Sequence, residues 1–132
     1  MMNRVIIVFL IFIFSCDFSA KKEINMISNS DLINFQDKDY ILLDVRTADE
    51  YKAGYIPDAI NIDFYSNSFS QNLLSFEKNT KIIIYCRTNN RSTETANILL
   101  DNGYTDINVI EGGITSWIDN RNIIEYVNDS ID

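Results

Sequence analysis

Apolar side chains come in short branched runs, and the polar stretches between them carry a helical period. Five runs read as strands: residues 24–27, 40–45, 59–62, 81–85 and 107–110. In the fourth, Ile82-Ile83-Ile84-Tyr85 is apolar without a break. A half-buried strand would alternate, so this run predicts a central strand covered on both faces, as in a parallel sheet. Helical spans lie between the runs, at 30–35, 47–52, 68–76, 92–102 and 113–120. The fourth places Ala96, Leu99 and Leu100 on one side and stops at Gly103, a good C-terminal signal. Strands alternating with helices predict an α/β fold with a short, mostly parallel central sheet of about five strands flanked by helices.

The first sixteen residues break this pattern. Arg4 precedes ten uninterrupted apolar residues, Val5 to Phe14, and Ser15-Cys16 follows. A cationic start, a short apolar core and a small residue before a cut site describe an export signal. Ten helical residues reach about 15 Å, roughly half a bilayer core, too short for a stable spanning helix. A buried N-terminal strand or helix is the competing structural reading. Ile13-Phe14-Ser15-Cys16 resembles the lipobox of bacterial lipoproteins, although Ile13 and Phe14 depart from its usual Leu and small residue. That resemblance implies residues 1–15 as a signal peptide cleaved before Cys16, lipidation of Cys16, and residues 16–22 as a tether. It implies an exported domain, 23–132, lipid-anchored to a bacterial membrane and facing the periplasm or exterior. Simple secretion or an uncleaved anchor are the alternatives.

Composition narrows the chemistry. The chain has 132 residues, 46% apolar and 23% charged, which suits one globular domain. Its formal charge is −8, so a nucleic-acid partner is not expected. There is no histidine, which excludes Ser-His-Asp triads, Cys-His dyads and His-ligated metals. Two cysteines, Cys16 and Cys86, are too few for a thiolate zinc site, and no metal or organic cofactor is implied. If Cys16 is acylated, Cys86 has no internal disulfide partner.

The informative stretch is Cys86-Arg87-Thr88-Asn89-Asn90-Arg91-Ser92, where the apolar strand stops and a helix begins. In open α/β sheets, ligands bind in the crevice beyond the strand C-termini. Asn89 and Asn90 suit a sharp turn, because Asn tolerates left-handed backbone. Successive amides in such a turn form an anion nest, and the helix adds its positive end. Arg87 and Arg91 add full charges. A free thiol titrates near about 8.5. Cations, convergent N–H groups and a helix N-terminus lower that value, in known cases to about 3.5–7.5, which yields a nucleophile without a histidine base. The competing reading is a buried structural cysteine. Two arginines and two asparagines within five residues argue against an apolar burial site, and burial among hydrocarbons would count against the reactive reading.

Three blocks stand in order along the chain. The first runs from Leu42 to Asn61 and contains Asp44-Val45-Arg46, Glu50-Tyr51 and Gly54-Tyr55-Ile56-Pro57-Asp58-Ala59. The second is the cysteine loop with its strand, and the third is Gly112-Gly113 with Trp117. Together they resemble the rhodanese (sulfurtransferase) family. The resemblance implies that Cys86 becomes a persulfide. It implies that residues 86–91 form a six-residue active loop, one residue shorter than in related cysteine-arginine phosphatases. Arg87, Thr88, Asn89, Asn90, Arg91 and Ser92 would then bind the substrate, with Arg91 either on the donor or turned inward to support the loop. Tyr55 replaces a usual His, Asn89 a common Gly, and Asp58 a preferred Gly that affects only a turn.

Asp44 and Arg46 read as structural support at a strand end. Arg46 and Glu50 also stand four residues apart, as in a surface helix pair. Trp117 reads as core, and Gly112-Gly113 as a tight connection. The function expected is transfer of a sulfane sulfur from a small anionic donor, such as thiosulfate, to cyanide or to a thiol acceptor, which could be a protein thiol. The alternative of another class is a lipid-anchored persulfide carrier or interaction module with little turnover. A small phosphatase or arsenate reductase is the third reading, disfavoured by the short loop.

Overall fold

In a computed structural model, residues 23–127 are described. The expected signal (1–15), Cys16 and the expected tether (16–22) therefore lie outside the described residues. The elements, in chain order, are β1 (Asn25–Ile27), α1 (Asn29–Asn34), β2 (Ile41–Asp44), α2 (Ala48–Lys52), β3 (Ile60–Asn61), α3 (Phe69–Leu73), β4 (Ile82–Tyr85), α4 (Asn90–Asp101), β5 (Ile107–Ile110) and α5 (Gly113–Asp119). All five strands are parallel and lie in the order β1-β5-β4-β2-β3. The apolar run of β4 occupies the centre, with Ile82, Ile83, Ile84 and Tyr85 each 0% exposed.

Every strand and helix expected from the sequence is present, with ends shifted by up to three residues. The largest shifts are at α3, which stops at Leu73, and at α4, which starts two residues early. Two starts are fixed by capping boxes. Ser28 caps α1 and exchanges hydrogen bonds with Asp31; Thr47 caps α2 and does the same with Glu50.

Strand alternation sorts side chains onto two cores. Ile82, Ile84 and Cys86 face α3 and α4, packing with Phe69, Leu73, Ala96 and Leu99. Ile83 and Tyr85 face the other way, toward Leu32 of α1 and Ile114 and Trp117 of α5. Trp117 is core, as expected, and its indole N–H donates to Ile123 O at 2.8 Å. Cys86 thus inherits its direction from the parity of β4, which aims it toward the start of α4.

Candidate active site

The strand β4 ends at Tyr85 and α4 starts at Asn90, so the cysteine loop turns within four residues. The turn does not use left-handed asparagine. Asn89 has φ −137°, Asn90 is already helical, and the only non-glycine residues at positive φ are Asp58 and Arg121 among the described residues. Two other devices make the bend. The amides of Ile114 and Thr115, at the start of α5, donate to Cys86 O and Arg87 O at 2.9 and 3.1 Å. The Asn89 side chain donates to Ile110 O and accepts from Gly112 N, both at 3.0 Å, tying the loop to the β5–α5 connection.

With the carbonyls drawn outward, the loop's amides are left over. Among the described residues, the N–H groups of Arg87 through Ser92 donate to no protein acceptor. Unpaired amides clustered in a turn are anion-seeking groups.

Cys86 itself is 2% exposed and belongs to the α4-side core. This corrects the expectation that the charged loop keeps it out of an apolar setting. Arg87 and Asn90 project from the loop, while strand parity turns the sulfur toward the α4-side core. The surroundings are not all hydrocarbon, however. Sγ lies 3.4 Å from Ser92 Oγ. Ser92 gives its single hydroxyl proton to Asn89 O at 3.0 Å, so the contact with sulfur is S–H donating to oxygen.

The two loop arginines part ways. Arg91 is turned inward: its Nη1 and Nη2 donate to Glu50 Oε2 and Oε1 at 2.7 and 3.0 Å. This fork holds the Glu50 carboxyl down at about 2, against the desolvation that raises it, with hydrogen bonds from Thr47 helping. In return Glu50, and to a smaller degree the nearby Cys86 and Tyr65, push the Arg91 guanidinium up. Arg87 is exposed and makes no ion pair among the described residues.

The expected Arg46–Glu50 pair is not formed. Arg46 precedes the N-cap Thr47, so it lies outside α2 and helix spacing does not apply. Its guanidinium donates to both Asp44 oxygens at 2.6–3.1 Å and to Gly54 O at 2.7 Å. Burial works against the Arg46 charge and Asp44 outweighs it, so the guanidinium stays above its ordinary value. Burial, and then the Asp44 charge, push the Tyr85 phenol well up. Asp44, Arg46 and Tyr85 therefore form a buried polar frame, and Arg46 also lines a cavity together with Arg87.

A cavity of about 350 Å³ flanks the loop, lined by Arg46, Glu50, Ala53, Gly54, Arg87, Ile114, Thr115, Ile118 and Ile124. Among the described residues, no cluster of three or more His, Cys, Asp or Glu side chains is placed to hold a metal ion.

This arrangement has relatives. Residues 28–120 match the family model of the rhodanese-like domain. The chain belongs to the rhodanese family. A protein named sulfurtransferase from Allochromatium vinosum is 31% identical over 80 residues, which cover 61% of this chain and 73% of that protein. A thiosulfate:glutathione sulfurtransferase from Saccharomyces cerevisiae is 26% identical over 98 residues, covering 66% and 70%. The crystal structure of a rhodanese-related protein from Thermoplasma volcanium superposes with a TM-score of 0.67 at 31% identity, covering 76% of this chain and 97% of that one. This rhodanese thus sits among sulfurtransferases.

Two residues that the sequence names take other roles in this rhodanese site. Glu50 was placed in the matching block but paired with the wrong arginine. The signal was the Thr47-x-x-Glu50 box, which starts the helix after Arg46 and frees Glu50 for the loop. The bridging role of Asn89 carries no sequence signal, because its partners, Ile110 and Gly112, lie on another strand connection.

Proposed function

We propose that this rhodanese moves a sulfane sulfur from thiosulfate or a similar donor to a thiol or cyanide acceptor through a Cys86 persulfide. The observation that carries the reading is the set of uncommitted amides in the loop that Cys86 opens, at the C-terminal end of the central strand. The Cys86 proton first leaves to solvent. The Ser92 hydroxyl then turns from Asn89 O to the sulfur and stabilises the thiolate. The thiolate attacks the outer sulfur of the donor. A new S–S bond forms on Cys86, the donor's S–S bond breaks, and its electron pair leaves with sulfite. The terminal sulfur carries one negative charge, and the loop amides meet it as an oxyanion hole meets its oxygen. An acceptor thiolate or cyanide then takes that sulfur and returns the Cys86 thiolate.

The 2% exposure of Cys86 favours a second reading, a persulfide carrier with little turnover. Intact mass spectrometry after thiosulfate treatment tests the first step. The expected result is a gain of one sulfur atom, absent in Cys86→Ser. No adduct from any sulfane donor would overturn both readings. An adduct that forms but turns over negligibly with cyanide would select the carrier.

A further inference from the structure

Strand parity also decides which side chains share the sulfur's side of the sheet. Cys86 lies in one core cluster with Phe69, and Phe64 packs against that cluster. The Phe64 ring meets Phe69 at 5.0 Å and Tyr65 at 5.2 Å between centroids. Tyr65 is thus the outer end of a row of rings rooted in the core that holds the cysteine, and it is 69% exposed. Its backbone is fixed. Asp63 Oδ1 accepts from the Tyr65 amide at 2.9 Å, and Asp63 Oδ2 accepts from the Ala48 amide, at the start of α2, at 3.3 Å. The ring is held in water by a turn tied to the helix that supplies Glu50. It also meets the cysteine loop: the Arg91 guanidinium carbon lies 5.9 Å from its centroid, and Cys86 and Tyr65 both help to hold the Arg91 charge. Because Arg91 is paired with Glu50, this rim has no spare positive charge to reward an anion. What it offers is the free surface of a ring already in place. An apolar or aromatic body leaves water against that surface at little ordering cost, while a small inorganic anion gains nothing from it.

We infer that Tyr65 is a specificity-determining residue of the second half-reaction, where its ring receives the apolar or aromatic body of a thiol acceptor as the acceptor sulfur approaches Cys86. This rests on the sulfurtransferase reading and names the acceptor class for the same site. In that step the acceptor thiolate attacks the terminal sulfur of the Cys86 persulfide. A new S–S bond forms on the acceptor, the S–S bond to Cys86 breaks, and its electron pair returns to Cys86 as the thiolate. The acceptor leaves as a persulfide. Charging of Cys86 by thiosulfate brings no apolar body and does not use the ring.

Two rate ratios test the ring, and the first needs no sulfur transfer. Iodoacetanilide and iodoacetamide bring the same reacting carbon to the Cys86 thiolate, which displaces iodide, and differ by a phenyl group. Their rate ratio on the whole chain, divided by their ratio on free glutathione, is expected to be about five. It should fall toward one in Tyr65→Ser and persist in Tyr65→Phe, which keeps the ring. A wild-type value of one, no reaction of Cys86 with either reagent, or a value unchanged in Tyr65→Ser would overturn the proposal. The second ratio follows discharge of the thiosulfate-formed persulfide by benzyl mercaptan and by 2-mercaptoethanol, thiols of similar basicity. The benzyl preference should fall about fivefold in Tyr65→Ser, while the rate of persulfide formation stays unchanged. An equal fall for both thiols would make Tyr65 merely structural and overturn it as well. If the alkylation ratio behaves as expected while no donor leaves sulfur on Cys86, the ring's selectivity stands and the sulfurtransferase reading fails.

Discussion

At Gly113 there is room for a hydrogen and nothing larger. A Cβ there would lie 2.4 Å from Cys86 O and from Thr88 O, and the backbone has φ +55°. This contact is how α5 approaches closely enough for its first amides to hold the loop carbonyls. Gly103 also has positive φ, +88°, but open space around it. The pair separates crowding from conformational strain. Gly103→Ala should cost about 1 kcal/mol. Gly113→Ala should cost clearly more, above about 2 kcal/mol, because loop backbone must move as well. Urea denaturation checks both, and equal losses would show that the loop does not depend on this contact. Residue identity made the glycine pair legible as a tight connection. Its target, the carbonyls of a loop some 25 positions earlier, was not legible, because no local pattern encodes which backbones meet.

At the scale of elements, short α2 is both an ordinary capped helix and a brace for the cysteine loop. Glu50 accepts from the Thr47 amide and hydroxyl at 3.0 and 3.1 Å and from the Arg91 fork. Its folded value of about 2 lies below the ordinary 4.5. A depressed carboxyl contributes stability that is fully present above its unfolded value and is lost as pH falls through the folded one. The brace is therefore intact at neutral pH and fails between about 4.5 and 2. Thermal melts across that window should show a falling midpoint in the wild type and a shallower fall in Glu50→Gln. Parallel slopes would remove Glu50 from the brace. Strands and helices themselves were readable from the chain, since the apolar run of β4 and the spacing of Ala96, Leu99 and Leu100 are local facts. The pairing of Arg46, Glu50 and Arg91 was not. Arg46 lies just before the N-cap of α2, and the partner that Glu50 takes stands 41 positions away, beyond any local pattern.

At the scale of the molecule, a strongly acidic body carries a locally cationic site. The formal charge is −8, yet the proposed substrates are anions, and Arg87, next to the cysteine, is exposed and makes no ion pair among the described residues. Which field governs encounter depends on screening. At about 10 mM salt the Debye length is about 30 Å, beyond the roughly 13 Å radius of gyration expected for a domain of this size, so an approaching anion feels the whole charge. At about 150 mM it is about 8 Å, and the anion feels the loop, the start of α4 and Arg87. The expected outcome is that the second-order rate of Cys86 persulfide formation from thiosulfate rises severalfold from low to physiological salt. Alkylation of Cys86 by neutral iodoacetamide supplies the control, and its rate should stay flat. A rate that falls with salt would mean that the cationic loop outweighs the acidic body even at long range. That result would make the acidic surface irrelevant to substrate encounter and leave its charge to serve solubility or a basic partner.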